Sequence, residues 1–224
     1  YAFADKHLLS LVYTTAFTDV KPYATVTGAQ NSVTDSHSEG QLHNAKLDYQ
    51  TPFGLKAGAE FTYYHAPGSQ LLYSTLGEET LNFLSKDNQR INQWRFYAGQ
   101  EHTLGADWGL NYGVAYTTAL DNSYQMYFDP ETETLLPDNN MQSRRREQTL
   151  NFYAGLSKSF GEKLSADVSL AAEQYHTDMW NEWSLYPVAN LTYLPAQGHI
   201  LQFSLSSDKE YPEYWSMQNS TSYM

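Results

Sequence analysis

Apolar and polar residues alternate one by one along most of this chain. The clearest stretch is 164–173, where Leu164, Ala166, Val168, Leu170 and Ala172 oppose Ser165, Asp167, Ser169, Ala171 and Glu173. Successive strand side chains point to opposite faces, so this pattern describes a strand with one apolar and one wet side. The same reading predicts strands over about 6–17, 23–33, 41–51, 55–65, 91–103, 108–120, 146–160, 164–176, 184–194 and 199–207. In 55–65, Leu55, Ala57, Ala59, Phe61 and Tyr63 oppose Lys56, Gly58, Glu60 and Thr62; in 108–120, Trp108, Leu110, Tyr112, Val114 and Tyr116 form one face. Alternation is weaker in 23–33 and in 184–194, which Pro187 interrupts.

The connections sharpen the picture. Thr51-Pro52-Phe53-Gly54, Leu104-Gly105-Ala106-Asp107, Phe160-Gly161-Glu162-Lys163 and Pro195-Ala196-Gln197-Gly198 are compact, Gly-bearing turns. Between them lie long polar stretches at 66–90 and 121–145 and a medium one at 177–183. Short and long alternate, as they do in a meander crossing a bilayer, with tight turns on one side and long loops on the other. The same parity makes 18–22 a turn and 34–40 a loop. The predicted fold is all-β: an antiparallel up-and-down meander of about ten strands, forming part of a transmembrane β-barrel, with residues 1–224 as a single segment. A soluble β-sandwich shares the period of two, but its strands usually run about 5–6 residues and its long loops are not confined to one rim.

Composition adjusts this picture in three ways. Hydrophobic content is 41%, and no apolar run approaches the roughly 18 residues of a membrane helix, so helical spans are excluded and barrel spans are not. Aromatics reach 15%, with 19 Tyr and 5 Trp, which suits strands and the belts where rings sit at a membrane surface. A net charge of -12 disfavours nucleic acid as a partner, and zero Cys removes disulfides and thiolate chemistry. The opening Tyr1-Ala2-Phe3-Ala4-Asp5 has no signal-peptide pattern, and the expectation is an internal segment of a longer protein.

Several runs carry a family resemblance. Asn181-Glu182-Trp183-Ser184-Leu185-Tyr186-Pro187-Val188-Ala189-Asn190-Leu191-Thr192-Tyr193 resembles the strand that enters through an aromatic–Pro step in the barrels of TonB-dependent receptors, most closely the outer-membrane β-barrel family of Bacteroidetes-type bacteria. The run Leu205 to Asn219 is similar to that family's next strand and its Arg-rich segment, with Lys209 and Tyr211 where basic residues are usual and Glu213 replacing a small polar one. Lys46-Leu47-Asp48-Tyr49 with Leu55-Lys56-Ala57-Gly58-Ala59-Glu60-Phe61 resembles it upstream, and the Phe160-Gly161 hairpin fits the same plan. The resemblance implies a piece of a plugged barrel of about 22 strands. It implies nutrient uptake in the outer membrane of a Gram-negative bacterium, with a siderophore, vitamin, glycan or peptide as ligand. Implied partners are outer-membrane lipid, the rest of the barrel, its plug and a nutrient of unknown identity. A fragment would also self-associate through exposed edges. Lys56, Glu60, Asp167 and Glu173 would line the lumen or contact the plug. Alternatives are a small complete porin or enzyme barrel, and a soluble carbohydrate-binding β-domain.

Candidate chemistry is sparse. His7, His37, His43, His65, His102, His176 and His199 are scattered, although His37-Ser38-Glu39 and His176-Thr177-Asp178 put a ring and a carboxylate on one strand face. Glu78-Glu79 and Asp129-Pro130-Glu131-Thr132-Glu133 fall in the long loops, where a solvated acidic loop competes with a Ca²⁺ site. Arg144-Arg145-Arg146 is the basic cluster, either a solvated junction or a contact for lipopolysaccharide phosphates. Trp180, Trp183, Tyr175 and Tyr186 read as an outer aromatic girdle or a sugar-stacking surface, and Tyr124, Met126, Tyr127 and Phe128 as a similar loop cluster. No nucleophile–base order or phosphate loop is visible, so no enzyme, catalytic residue, cofactor or metal site is predicted, and substrate-binding residues are unknown.

Overall fold

In the computed structural model, residues 2–3, 7–28, 30–76, 78–105, 107–136, 140–196 and 198–207 are described. The predicted segment beyond 207, Lys6 and Ala29 of the predicted strands, and Ala106 and Gln197 of the predicted turns lie outside them. The strands are β1 (Ala2–Phe3), β2 (His7–Val20), β3 (Tyr23–Val26), β4 (Gln30–Gln50), β5 (Leu55–Leu76), β6 (Glu79–Leu104), β7 (Trp108–Phe128), β8 (Met141–Phe160), β9 (Leu164–Thr177), β10 (Asn181–Ala196) and β11 (His199–Ser206). They form one antiparallel sheet in the order β1-β2-β4-β5-β6-β7-β8-β9-β10-β11, with β3 also on β4. The meander is as predicted, and the sheet is not closed among the described residues.

The strand bounds depart from prediction in two places. Residues 18–22 are not a turn. Val20 pairs with Ser38 and Tyr23 with Asp35, so β2 and β3 run along β4 in one continuous register. Pro22 has no N–H to give, but its carbonyl accepts from Ser36 N at 3.0 Å, and the ladder continues past it. The chain reverses after Val26, so the predicted strand 23–33 is divided between β3 and β4, and the predicted loop 34–40 belongs to β4. The larger departure is that the polar stretches 66–90 and 121–145 are mostly strand. β5 runs 22 residues and β6 runs 26, a length of about 85 Å at 3.3 Å per residue. That is far more than a tilted strand needs to cross a bilayer.

Register explains why these extensions escaped a periodicity reading. In the half of the sheet near the tight turns, Leu11, Leu47, Ala59, Phe96, Tyr116 and Leu150 form one row of paired residues. The adjacent row on the opposite face is Ser10, Asp48, Gly58, Tyr97, Ala115, Asn151 and Glu173. The first is the outer face of the wall and the second the inner face. The outer band is apolar and bare: Leu11 is 72% exposed and Val168 61%. Beyond it the polarity reverses. Asn88, Arg90, Asn92 and Arg144 occupy the outer face, while Phe83, Ile91, Ala119, Tyr127 and Tyr175 are buried on the inner face, Ile91 to 2%. The period of two persists but its phase flips, and the summed signal looks like a polar loop.

Tight turns close the other rim. Gly54, Gly161 and Gly198 have φ of 88°, 67° and 83°, the left-handed region that glycine enters without a Cβ clash. Thr51 Oγ1 accepts from Leu55 N at 3.0 Å and helps close the first turn. Trp108 and Phe160 stand at this rim with Lys158 Nζ 5.1 and 5.9 Å from their rings, an arrangement suited to a membrane interface. The apolar band therefore begins at the tight turns, and the strand extensions all project from the other side.

Two tyrosines lie flat across glycines on the inner face. Tyr97 covers Gly58 directly opposite it on β5, and its hydroxyl donates to Asp48 on β4. Tyr153 covers Gly113 and reaches Gly99 two strands away. A Cβ on Gly113 would stand 2.6 Å from the Tyr153 ring and 2.7 Å from the Ala98 carbonyl, and the latter cannot rotate aside.

Gly113→Ala is expected to destabilise the barrel by about 1–3 kcal/mol through overpacking. Gly105→Ala, where a Cβ meets nothing within 4 Å, is expected to be near neutral. Urea midpoints for refolding into lipid vesicles measure both. Neighbouring substitutions in β9 test the two faces by the same assay: Val168→Arg, in the middle of the apolar band, should cost about 2–4 kcal/mol and Asp167→Arg less than about 1.

Candidate functional site

The inner face of β4–β6 carries the densest polar constellation near the tight-turn rim. Lys46 Nζ lies 3.2 Å from Asp48, and the Tyr97 ring has Lys46 Nζ at 5.8 Å and the Arg95 guanidinium at 5.4 Å. Arg95 reaches Glu60 at 4.0 Å, and Asn44 Nδ2 donates to Glu60 at 2.9 Å. These residues sit together because antiparallel register pairs Lys46 with Glu60, Glu60 with Arg95, and Gly58 with both Asp48 and Tyr97. Lys46, Asp48, Arg95 and Tyr97, with Ser10, Gln50 and Lys56, line an open cleft of about 480 Å³. Gly58 matters here because only its missing Cβ lets the Tyr97 ring lie down and reach Asp48.

A second constellation lies on the inner face of the extension. Ser123 and Ser143 donate to Asp121, the latter at 3.3 Å; Arg145 pairs with Glu147 and donates to the Tyr175 hydroxyl at 3.1 Å. Asp121 and Tyr175 are buried, and Arg145 and Glu147 keep only 18% and 13% of their side chains exposed. This group fixes the stacking of β7, β8 and β9 where the inner face is drier.

Strand alternation redistributes the sequence candidates. Lys56, Glu60, Asp167 and Glu173 all fall on the inner face. Lys56 is held by Glu101 at 3.4 Å, and Glu173 accepts from Asn151 and Tyr186 at 3.4 Å each. Arg144-Arg145-Arg146 is split: Arg145 points inward, Arg144 and Arg146 outward. The expected girdle is also split. Trp183 is on the outer face, Tyr175 and Tyr186 are on the inner face, and Trp180 closes the β9–β10 turn by donating its N–H to Thr177 Oγ1 at 3.0 Å. Tyr124, Met126, Tyr127 and Phe128 belong to β7, and Tyr127 turns inward against Phe83, ring centroids 5.4 Å apart.

The acidic and histidine candidates find other partners. Asp129 Oδ1 accepts from Glu131 N, Thr132 N and Thr132 Oγ1 at 3.0, 2.8 and 2.9 Å, and these donors hold its carboxyl below the usual carboxylate range. An oxygen so occupied ties a turn and is not free for a cation. His37 bridges Asp19 at 3.0 Å and Glu39 at 3.5 Å, with Lys21 also on Asp19. Asp178 follows the last residue of β9 and does not share a strand face with His176. Among the described residues no three His, Asp or Glu side chains converge as a metal site. His43 instead joins Tyr13, Phe17 and Tyr63 in an outer aromatic cluster.

Sequence reading singled out neither Tyr97 and Arg95 nor the Asp121 network. The available signal was strict alternation: carrying the odd-numbered phase of β6 past Ile91 places Tyr97, Arg95 and Asp87 on one face.

An apolar outer band, a polar inner wall, tight turns on one rim and extensions on the other define a segment of a transmembrane β-barrel. The chain belongs to the TonB dependent receptor-like β-barrel family, which it matches over residues 2–221. This places it in the outer membrane of a Gram-negative bacterium, in a family of receptors and not of enzymes. No curated protein matches the chain. Among solved structures it is similar to the ferric citrate transporter FecA in its unliganded form, at 10% identity and a TM-score of 0.29 over 88% of this chain. The chain spans 42% of that structure's length.

Arg145→Met is expected to cost about 2–4 kcal/mol, because it strands the Glu147 carboxylate on a largely buried face. Arg145→Met with Glu147→Leu should recover most of the loss. Denaturation midpoints of the two variants decide the matter.

Proposed function

We propose that this chain is one continuous part of the barrel wall of an energy-coupled outer-membrane receptor for nutrient uptake. The observation that carries the reading is the sorting of side chains: apolar residues face outward over the bilayer-sized band, and charged and amide groups face inward over the same rows. The inner cluster around Tyr97 would then meet the plug. Its alternating Lys46, Asp48, Glu60 and Arg95 present both signs of charge, suited to a polar plug surface held by hydrogen bonds and water and released without exposing apolar area. The extensions beyond the bilayer would form the vestibule where nutrient is captured, with the nutrient one of the scarce, large solutes that a passive pore does not admit. The remaining strands and the plug complete the receptor.

Uptake by cells with and without the encoding reading frame tests the proposal. Loss of transport of one nutrient on deletion, together with abolition of that transport by a protonophore, is the expected outcome. Transport that survives collapse of the proton-motive force would instead make the barrel a passive pore.

A further inference from the structure

From β5 to β10 the charges of this acidic protein are segregated between the two faces of the sheet, whereas β2 and β4 carry Asp19, Asp35 and Glu39 at outer positions. On β5–β10 every carboxylate, Glu60 through Glu182, occupies an inner-face register position, and the outer face of these strands carries none. Just beyond the apolar band, that same outer face carries Arg90 on β6 and Arg144 and Arg146 on β8. Arg144 pairs with Asn122 on β7, Arg90 lies on β6 between the β7-paired residues Asn88 and Ile91, two strands or about 10 Å from β8, and Arg146 lies one outer position nearer the band. All three are exposed, and none has a carboxylate within ion-pair distance among the described residues. Arg90 sits over the Tyr63 ring at 5.9 Å, at the upper limit of the apolar band. Among the neighbouring outer positions, Asn88, Asn92, Asn122 and Gln148 are amides, which donate hydrogen bonds without adding negative charge, while His65 pairs with Arg90 and Leu120 with Arg146.

Arg144 and Arg146 stand two residues apart on one face of β8 with Arg90 two strands away, none of the three is ion-paired among the described residues, and a chain with net charge -12 had carboxylates to spare for pairing them. We propose that Arg90, Arg144 and Arg146 form a site for the phosphate-bearing headgroup of a lipid in the surrounding outer leaflet. The proposal rests on the reading that the outer band meets lipid. The acyl chains of such a lipid lie along the apolar band below, and its phosphate rises to the level of the arginines. Guanidinium forks match phosphate oxygens two at a time, which favours arginine over lysine at such a site.

The test uses the full-length receptor that carries this chain, reconstituted in phosphatidylcholine bilayer discs with monophosphoryl lipid A or its dephosphorylated form as probe. Lipid retained on the receptor is quantified by native mass spectrometry. The phosphorylated probe should be retained over the dephosphorylated one, and excess inorganic phosphate should not displace it. Combined Arg90→Gln, Arg144→Gln and Arg146→Gln should weaken retention by roughly tenfold or more, the scale of the arginine–phosphate hydrogen bonds removed. Lys163→Gln, in a turn on the opposite rim, should leave it unchanged. Equal retention of the two probes, an unaltered triple variant, or displacement by inorganic phosphate overturns the site. If the triple variant fails to insert, Arg144→Gln alone is read in the same way. Insertion of the unaltered receptor into pure phosphatidylcholine discs reports on the membrane reading separately, so the two failures are distinguishable.

Discussion

A backbone in hydrocarbon has no water to satisfy its N–H and C=O groups, and each one left unpaired costs several kcal/mol. The ladder from β2 to β11 meets this constraint strand by strand, and the rest of the architecture follows from it. Side chains are relieved of any duty to cover the backbone, so the outer face is free to be apolar and bare and the inner face free to be polar. Pro22 and Pro187 respect the ladder, whereas the β10–β11 register shifts between Tyr193 and Ala196, around Pro195. Pro187 sits in β10, where its carbonyl accepts from Ser207 N at 3.3 Å at the end of the β11 pairing, and Pro22 keeps its carbonyl bonded in the same way. Each gives up a single donor bond while the register passes through unchanged.

The same constraint explains how far the sequence was legible. Strand segments inside the bilayer carry one phase of alternation, and Leu164 to Ala172 or Leu55 to Tyr63 could be assigned to faces residue by residue. Above the bilayer the demands invert, because water lies outside and neighbouring side chains crowd the inner face. Trp94 and Phe96 point outward on β6, and Ile91 and Phe83 point inward on the same strand. A window spanning both halves sees apolar residues at even and odd positions alike. What reads as a 25-residue polar loop at 66–90 is two strands joined by a tight reversal near Glu78. Similarly, extending the alternation of short and long connections backward makes 18–22 a turn, and only pairing with β4 shows the strand carrying on.

Candidate sites were less legible than the fold because adjacency in sequence is a poor guide to proximity in a sheet. Arg144, Arg145 and Arg146 looked like one basic patch, and the pleat sends the middle one to the opposite face. Tyr97, by contrast, gathers Lys46 and Asp48 from β4 beside Arg95 of its own strand, and its nearest structural requirement is a residue on the strand between them that is missing a side chain, Gly58. Glycine opposite tyrosine is a sheet device that frees room for a ring to lie along the wall, restoring the contact that glycine itself lacks. Its repetition at Tyr153 over Gly113 and Gly99 shows that the inner wall is lined by rings lying flat, which keeps the lumen open while stiffening three adjacent strands.

Charge sorting joins these observations. Carboxylates on β5–β10 all face inward, where Glu60 is satisfied by Asn44 and Arg95 and Glu173 by Asn151 and Tyr186. Outward carboxylates on those strands would meet either hydrocarbon or an anionic lipid surface, and both are unfavourable. Outward cations are tolerated at the two edges of the band: Lys158 over Trp108 at the tight-turn rim, and Arg90 over Tyr63 at the other. Each rests on an aromatic ring that marks the interface, so the polar head stays in the headgroup layer while the stem lies against apolar surface. A wall built this way sets its own depth in the membrane, and the strand lengths beyond the upper edge then fix how far its inner vestibule stands above the lipid.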